Sequence, residues 1–221
     1  MSYANNLAVA DGVIGAARSP AQTLTGSDTA GRILVPYKKA LDITGQNLSV
    51  SFWVRPRKTP QWAYLMGRRF GDSAGGWGFQ DENAGGWIRY WQNDARRDVC
   101  GPVGPKNWVL NTWFKLNFQY VGATARFYAG GGKNFSGNAD AETYTRTIGY
   151  APSNGGTEPL VIGCTSGKDY SFPGDFDEVR ITERIDPEEW VASEYLQETD
   201  ATFYTYGAPE SISHGLMVIV K

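Results

Sequence analysis

The chain has one histidine, His214, and two cysteines, Cys100 and Cys164, in 221 residues. A single imidazole excludes a multi-histidine metal centre, and with no nucleophile motif around it a Ser-His-Asp triad has no support. His214 reads as a surface residue. Two thiols are too few for a disulfide framework or a closed thiolate metal site. One Cys100–Cys164 disulfide stays open, because sequence does not fix the separation of the two Cα atoms. Charge of one sign is lacking too: 21 Lys and Arg against 23 Asp and Glu leave a formal charge of -2. With no run of basic residues, a nucleic-acid-binding stripe is excluded. No stretch approaches the ~20 apolar residues of a membrane-spanning helix. The opening "MSYANNLAVADG" has neither a basic start nor a long apolar run, so no signal peptide is visible. The expectation is a cytosolic protein or a domain cut from a larger secreted chain.

Glycine and aromatics are abundant: 27 Gly and 8 Trp, with aromatics at 14%. The length suits one all-β domain with a sizeable core. Short alternating runs separated by Gly, Pro and Asn clusters predict a two-sheet antiparallel sandwich. "NLSVSFWVRP" (47–56) sets Leu48, Val50, Phe52 and Val54 on one face, with Ser49, Ser51, Trp53 and Arg55 opposite. Further strands are predicted at 31–37, 62–69, 76–82, 86–92, 98–103, 158–164 and 174–182. "TWFKLNFQYV" and "TARFYAG" form a hairpin around Gly122-Ala123. One short helix follows near the C-terminus. Asp186 is its N-cap, Pro187 its first position and Glu188 and Glu189 favour its positive end, with Trp190, Val191 and Tyr195 packing it on the sandwich. Residues 1–208 are expected to form the sandwich, and 209–221 an edge strand or the start of a following module. No internal repeat is apparent.

In "GDFDEVRIT", strict alternation puts Asp175, Asp177, Val179 and Ile181 on one face and Phe176, Glu178, Arg180 and Thr182 on the other. Ionised carboxylates beside an apolar pair need a partner, because burying them unpaired is costly. Three readings fit: part of a Ca²⁺ shell, a buried ion pair or backbone-bonded carboxylate, or a position at the sandwich rim.

The segment "GDFDEVRITERIDPEEWVASEYLQ" resembles the closing strand and short helix of laminin-G-like, concanavalin A-like jelly-roll domains. "LDITGQNLSVSFWVRP" is similar to an early strand of that family, and "FYTYGAPE" to sequence that follows such domains in large bacterial surface and secreted proteins. The resemblance implies a jelly-roll sandwich with one short C-terminal helix, often holding a structural Ca²⁺. It also implies a mostly non-catalytic module, outside the cell, that binds glycans or proteins. Asp177 and Asp175 are the candidate metal ligands. Jelly-roll hydrolases carry a Glu-x-Asp-x-x-Glu-like strand facing a cleft, and retaining enzymes need carboxyl groups ~5–5.5 Å apart. Asp175-Phe-Asp177-Glu178 departs from that pattern, so catalysis is not expected.

The sharper functional pattern is "GWGFQDENAGGWIRYWQ" (76–92), read as a hairpin turning at Ala84-Gly85. Glu82 then opposes Trp87, Gln80 opposes Arg89 and Gly78 opposes Trp91. One face collects Trp77, Phe79, Ile88 and Tyr90 for the core. The other presents Gln80, Glu82, Trp87, Arg89 and Trp91, with Trp62 at its edge and Arg68 and Arg69 in the following loop. Flat rings stack on sugar C–H faces, while Arg, Gln and Glu reach hydroxyls. A structural alternative has Trp91 covering Gly78 and Arg89 lying across the rings as a cation–π clasp. The expected function is a non-catalytic, lectin-like carbohydrate-binding module of a larger secreted or cell-surface bacterial protein. Its partners would be a glycan or polysaccharide and other protein domains of the same chain, with no nucleic acid and no membrane span. The alternative is a structural or protein-adhesion module without a small ligand, and a glycan hydrolase or lyase comes third.

Overall fold

The computed structural model describes residues 2–3, 7–11, 16–20, 32–42, 47–68, 76–82, 87–92, 100–103, 108–122, 124–129, 143–147, 156–164 and 170–200. Side chains at 2–20, 82, 87, 91–92, 100–103, 129 and 143–147 lie outside that description, as do Arg69 and the expected C-terminal segment 209–221.

Fourteen strands are described: β1 (Ser2–Tyr3), β2 (Leu7–Asp11), β3 (Ala16–Pro20), β4 (Ile33–Val35), β5 (Asn47–Pro56), β6 (Tyr64–Arg68) and β7 (Trp77–Glu82), then β8 (Trp87–Gln92), β9 (Cys100–Val103), β10 (Phe114–Val121), β11 (Thr124–Ala129), β12 (Thr143–Thr147), β13 (Leu160–Ile162) and β14 (Gly174–Thr182). They make two antiparallel sheets, the first in the order β1-β4-β13-β6-β7-β8-β9 and the second β12-β11-β10-β5-β14-β3-β2. This is the two-sheet sandwich the alternating pattern predicts and the jelly roll the family resemblance implies. β1, β2, β3 and β12 had no place in that prediction. Among the described residues, no helix is long and apolar enough to cross a membrane.

Alternation builds the layer between the sheets. On β5, Leu48, Val50, Phe52 and Val54 are fully buried, and on β10 Leu116 and Phe118 pair with Phe52 and Val50. β10 returns into β11 through Gly122, whose φ of +49° suits glycine, with Val121 paired to Thr124. The sheets meet through rings. Phe79 of the first lies 5.1 Å from Phe118, 5.9 Å from Phe52 and 6.2 Å from Phe127 of the second. Tyr90 stacks on Phe118 at 4.2 Å. Each such side chain buried contributes about 1.5–3 kcal/mol.

The closing strand departs from strict alternation. Asp177 pairs with Trp53 but Arg180 with Ser51, so β14 carries one extra residue between them. That is a β-bulge, with Glu178 at φ +47°. Phe176 faces the core on one side of the bulge, and Ile181 packs against it on the other. The two carboxylates therefore do not share a face with Ile181, correcting the alternation read from the sequence. Gly174 opens the strand because a Cβ there would sit 2.2 Å from the Arg55 carbonyl oxygen.

Helix α1 (Glu188–Thr199) lies across the outward face of the second sheet. Pro187, not Asp186, is the residue preceding it; Asp186 pairs with Arg184 at 2.7 Å, and its carbonyl accepts from Gln119 Nε2 at 2.8 Å. Val191 is buried and Tyr195 stacks on Trp53 at 5.7 Å, as expected, but Trp190 is 62% exposed. Glu198 accepts from Trp53 Nε1 at 2.6 Å and pairs with Lys115, whose ammonium is also 3.4 Å from Glu194. Burial pulls the Lys115 ammonium below the ordinary lysine range, while its bond to Glu198 pulls it back up. Tyr195 is raised by burial alone. Lys115→Met is expected to lower the unfolding free energy by about 3 kcal/mol, because it strips a nearly buried Glu198 of its ammonium partner. Urea unfolding checks it: the Lys115→Met, Glu198→Leu double variant should lose less than the single one, and an equal or larger loss would contradict the pairing.

Candidate functional site

Strands β7 and β8 pair in the expected register, Glu82 with Trp87, Gln80 with Arg89 and Gly78 with Trp91. Trp77, Phe79, Ile88 and Tyr90 are all 1% exposed or less. The opposite face of the hairpin therefore points away from the core. The side chains of Trp87, Trp91 and Glu82 lie outside the described residues, so that face is traced from Gln80, Arg89 and the elements beside them.

The turn before β6 dominates this surface. Trp62 is 37% exposed with φ +55°, and its carbonyl accepts from Gln80 Nε2 at 3.0 Å. The Arg89 guanidinium lies 5.8 Å from the centre of the Trp62 ring. Arg89 thus forms the clasp anticipated for it, but over Trp62. Tyr64 pairs across the sheet with Gln80, and its ring lies 5.9 Å from that of Tyr170, which is 61% exposed with φ +52°. A row of Tyr170, Tyr64, Trp62 and Arg89 crosses the sheet. Two bulky residues held at positive φ are uncommon, and such backbone strain concentrates at ligand sites. Tyr64 and Tyr170 were missed from the sequence: Tyr64 precedes a bulge that disturbs its strand's pattern, and Tyr170 sits in an aperiodic loop.

Two expected ligand residues are structural. Gln80 is 5% exposed beneath the Trp62 turn. Arg68 is fully buried because a bulge between Tyr64 and Met66 reverses the alternation of β6, pairing Arg68 with core-facing Trp77. Its guanidinium donates to the carbonyls of Leu41 at 2.6 Å and Gly156 at 2.7 Å, and lies 3.3 Å from Asp42 Oδ1. Asp42 also accepts from Tyr37 Oη at 3.0 Å, a bond that raises the Tyr37 phenol. Arg68 ties two loops together and is withdrawn from the ligand set.

The two carboxylates part ways. Asp175 is 1% exposed, and its Oδ2 accepts from Arg55 Nε and Arg57 Nε, each at 2.7 Å. Arg55 lies in turn 4.5 Å over the Trp113 ring. This is the buried ion pair among the three readings of the sequence: two guanidinium groups share Oδ2, while Oδ1 has no hydrogen-bond partner among the described residues. Asp177 Oδ1 accepts from the Glu178 amide at 3.0 Å, bracing the bulge. Asp81 is a further buried acid, its Oδ1 accepting from Trp108 Nε1 at 2.6 Å inside the core. Among the described residues, no three His, Cys, Asp or Glu side chains gather as a metal would require.

Thermal melts separate ion pairing from metal binding. Asp175→Ala is expected to cost about 3 kcal/mol by stranding Arg55, while EDTA leaves the melting temperature of the parent chain unchanged. A lower melting temperature in EDTA would show a bound cation and keep Asp177 and Asp175 as candidate ligands.

Comparison with known proteins follows the same lines. A laminin-G-type family model, described as the concanavalin A-like lectin/glucanases superfamily, matches residues 27–192. No curated protein sequence matches. Domain 4 of AbnA, a GH43 extracellular arabinanase from Geobacillus stearothermophilus solved with arabinotriose, superposes with a TM-score of 0.61 at 20% identity, covering 86% of this chain and 81% of that one. The binding domain of Paraclostridial mosquitocidal protein 1 gives 0.60 at 14%, covering 87% and 46%. The botulinum neurotoxin serotype G binding domain gives 0.56 at 15%, covering 89% and 46%. The chain spans about half the length of these toxin binding domains. With its sandwich, closing strand and helix accounted for over the matched residues, the chain belongs to the concanavalin A-like lectin/glucanases superfamily.

Proposed function

We propose that this chain is a non-catalytic carbohydrate-binding module of a larger extracellular or cell-surface protein. Glycan would lie along the outward face of the first sheet, across Tyr170, Trp62 and Arg89, with Trp87 and Trp91 extending the row. The observation that carries the reading is Trp62: an exposed indole held at φ +55° with Arg89 against its ring. An aromatic plane next to a multi-donor cation suits a sugar's C–H face and hydroxyls. The arabinotriose complex of the arabinanase domain, on the same fold, supports glycan as the ligand class. Asp175, buried and paired to two arginines, is not presented to solvent, which supports binding without hydrolysis.

A glycan-array screen of the chain, repeated with Trp62→Ala and with the Trp87→Ala, Trp91→Ala double variant, tests the reading. Binding in the parent and a loss of about tenfold or more in each variant is expected. Silence across a broad array would favour a protein-adhesion module, for which Val109 and Leu110, both largely exposed before β10, offer an apolar contact. Binding that survives both substitutions would remove the first-sheet face.

A further inference from the structure

On the opposite side of the molecule, the outward face of the second sheet is not simply covered by α1. A cleft of about 460 Å³ remains between them. Its floor is Ser49, Ser51, Asn117 and Thr182, and its walls are Arg180, Arg184 and Asp186 on one side and Trp190, Ser193, Glu194 and Gln197 of the helix on the other. The volume falls within the roughly 300–1,000 Å³ of small-molecule sites.

Three features of the cleft point to a ligand. Asn117 is 4% exposed, and its Oδ1 has no hydrogen-bond partner among the described residues. A buried amide oxygen without a donor is disfavoured by about 1–3 kcal/mol, so the floor lacks a hydroxyl or amine. Trp190, expected to pack against the sandwich, instead stands at the mouth with its ring 62% exposed and the Arg184 guanidinium 5.8 Å from its centre. The basic wall is fixed in advance: Arg180 pairs with Glu178 at 2.9 Å, Glu198 at 3.1 Å and Glu194, and Arg184 with Asp186 at 2.7 Å.

The charges choose the ligand. Arg180 and Arg184 are balanced within the lining by Asp186 and Glu194, so the cleft carries no net charge to attract an anion. Small hydroxyls and amides on the floor, a flat ring at the mouth and zero net charge fit a neutral polyhydroxylated unit. We infer that this cleft is a second saccharide subsite, taking one sugar residue of a neutral glycan with a face on Trp190 and a hydroxyl donated to Asn117 Oδ1. It is independent of the Trp62 row, because the two lie on outward faces of different sheets.

The test is an NMR titration of the ¹⁵N-labelled chain with arabinotriose, xylotriose, cellotriose and maltotriose, following the Trp190 indole N–H and the Asn117 side-chain amide together with Trp62. At least one trisaccharide should shift Trp190 and Asn117 in a saturable way. Trp190→Ala, which removes a mostly exposed ring and leaves the fold intact, should weaken that site about tenfold. Ser51→Phe, filling the floor, should abolish the Asn117 shift while any Trp62 response persists. Saccharide binding that moves Trp62 but never Trp190 or Asn117 would overturn the cleft and leave the first-sheet reading standing. Unmoved Trp190 and Asn117 resonances throughout the panel would overturn it as well, and shifts at these two alone would support it while removing the first-sheet face.

Discussion

A β-strand turns successive side chains to opposite faces, so one inserted residue reverses everything beyond it. In β14 the insertion falls between Asp177 and Arg180, and in β6 between Tyr64 and Met66. Each bulge lets a single strand serve two demands. Before its bulge, β14 turns Asp175 outward to Arg55 and Phe176 inward to the aromatic core. After it, Arg180 and Thr182 line the cleft under the helix while Ile181 packs inward. In β6 the same device leaves Tyr64 beside the surface aromatics and draws Arg68 into the interior, where backbone carbonyls and Asp42 receive it. Both candidate sites depend on these reversals.

Where strands run without insertion, the sequence was legible almost residue by residue. Alternation in β5 named Leu48, Val50, Phe52 and Val54 as core, and the β7–β8 hairpin closed in the expected register with Phe79 and Ile88 inside. The closing strand and helix were recognisable as a family feature. Period two carries no mark of a bulge, so the facing of Asp175, Asp177 and Ile181 and the burial of Arg68 could not be read from it. Nor does helical periodicity tell which apolar residue meets a neighbour. Val191 and Tyr195 reach the sheet, whereas Trp190 lies over a cleft edged by Arg184. Trp62 reads from the sequence as the edge of the proposed binding face, but its ring contact with Arg89 depends on a turn whose left-handed backbone no local pattern announces.

The outward face of the second sheet shows how a polar surface can be covered without being filled. Lys115, Trp53 and Arg180 reach up from the strands to Glu194 and Glu198 and hold the helix at fixed height. Small residues beneath its first turns, Ser49 and Ser51, leave space that larger ones would occupy. Buried ion pairs of this kind contribute little net stability but fix geometry, since every alternative arrangement strands a charge. A rigid helix over a small-residue floor is what a preformed subsite requires.

Removal of the inserted residue measures the constraint directly. Deleting Glu178 leaves Asp177 opposite Trp53, Val179 opposite Phe52 and Arg180 opposite Ser51, with every inward and outward facing kept, so the variant should still unfold cooperatively within about 2 kcal/mol of the parent in urea. Loss of cooperative unfolding in that deletion would contradict the reversal on which both faces rest.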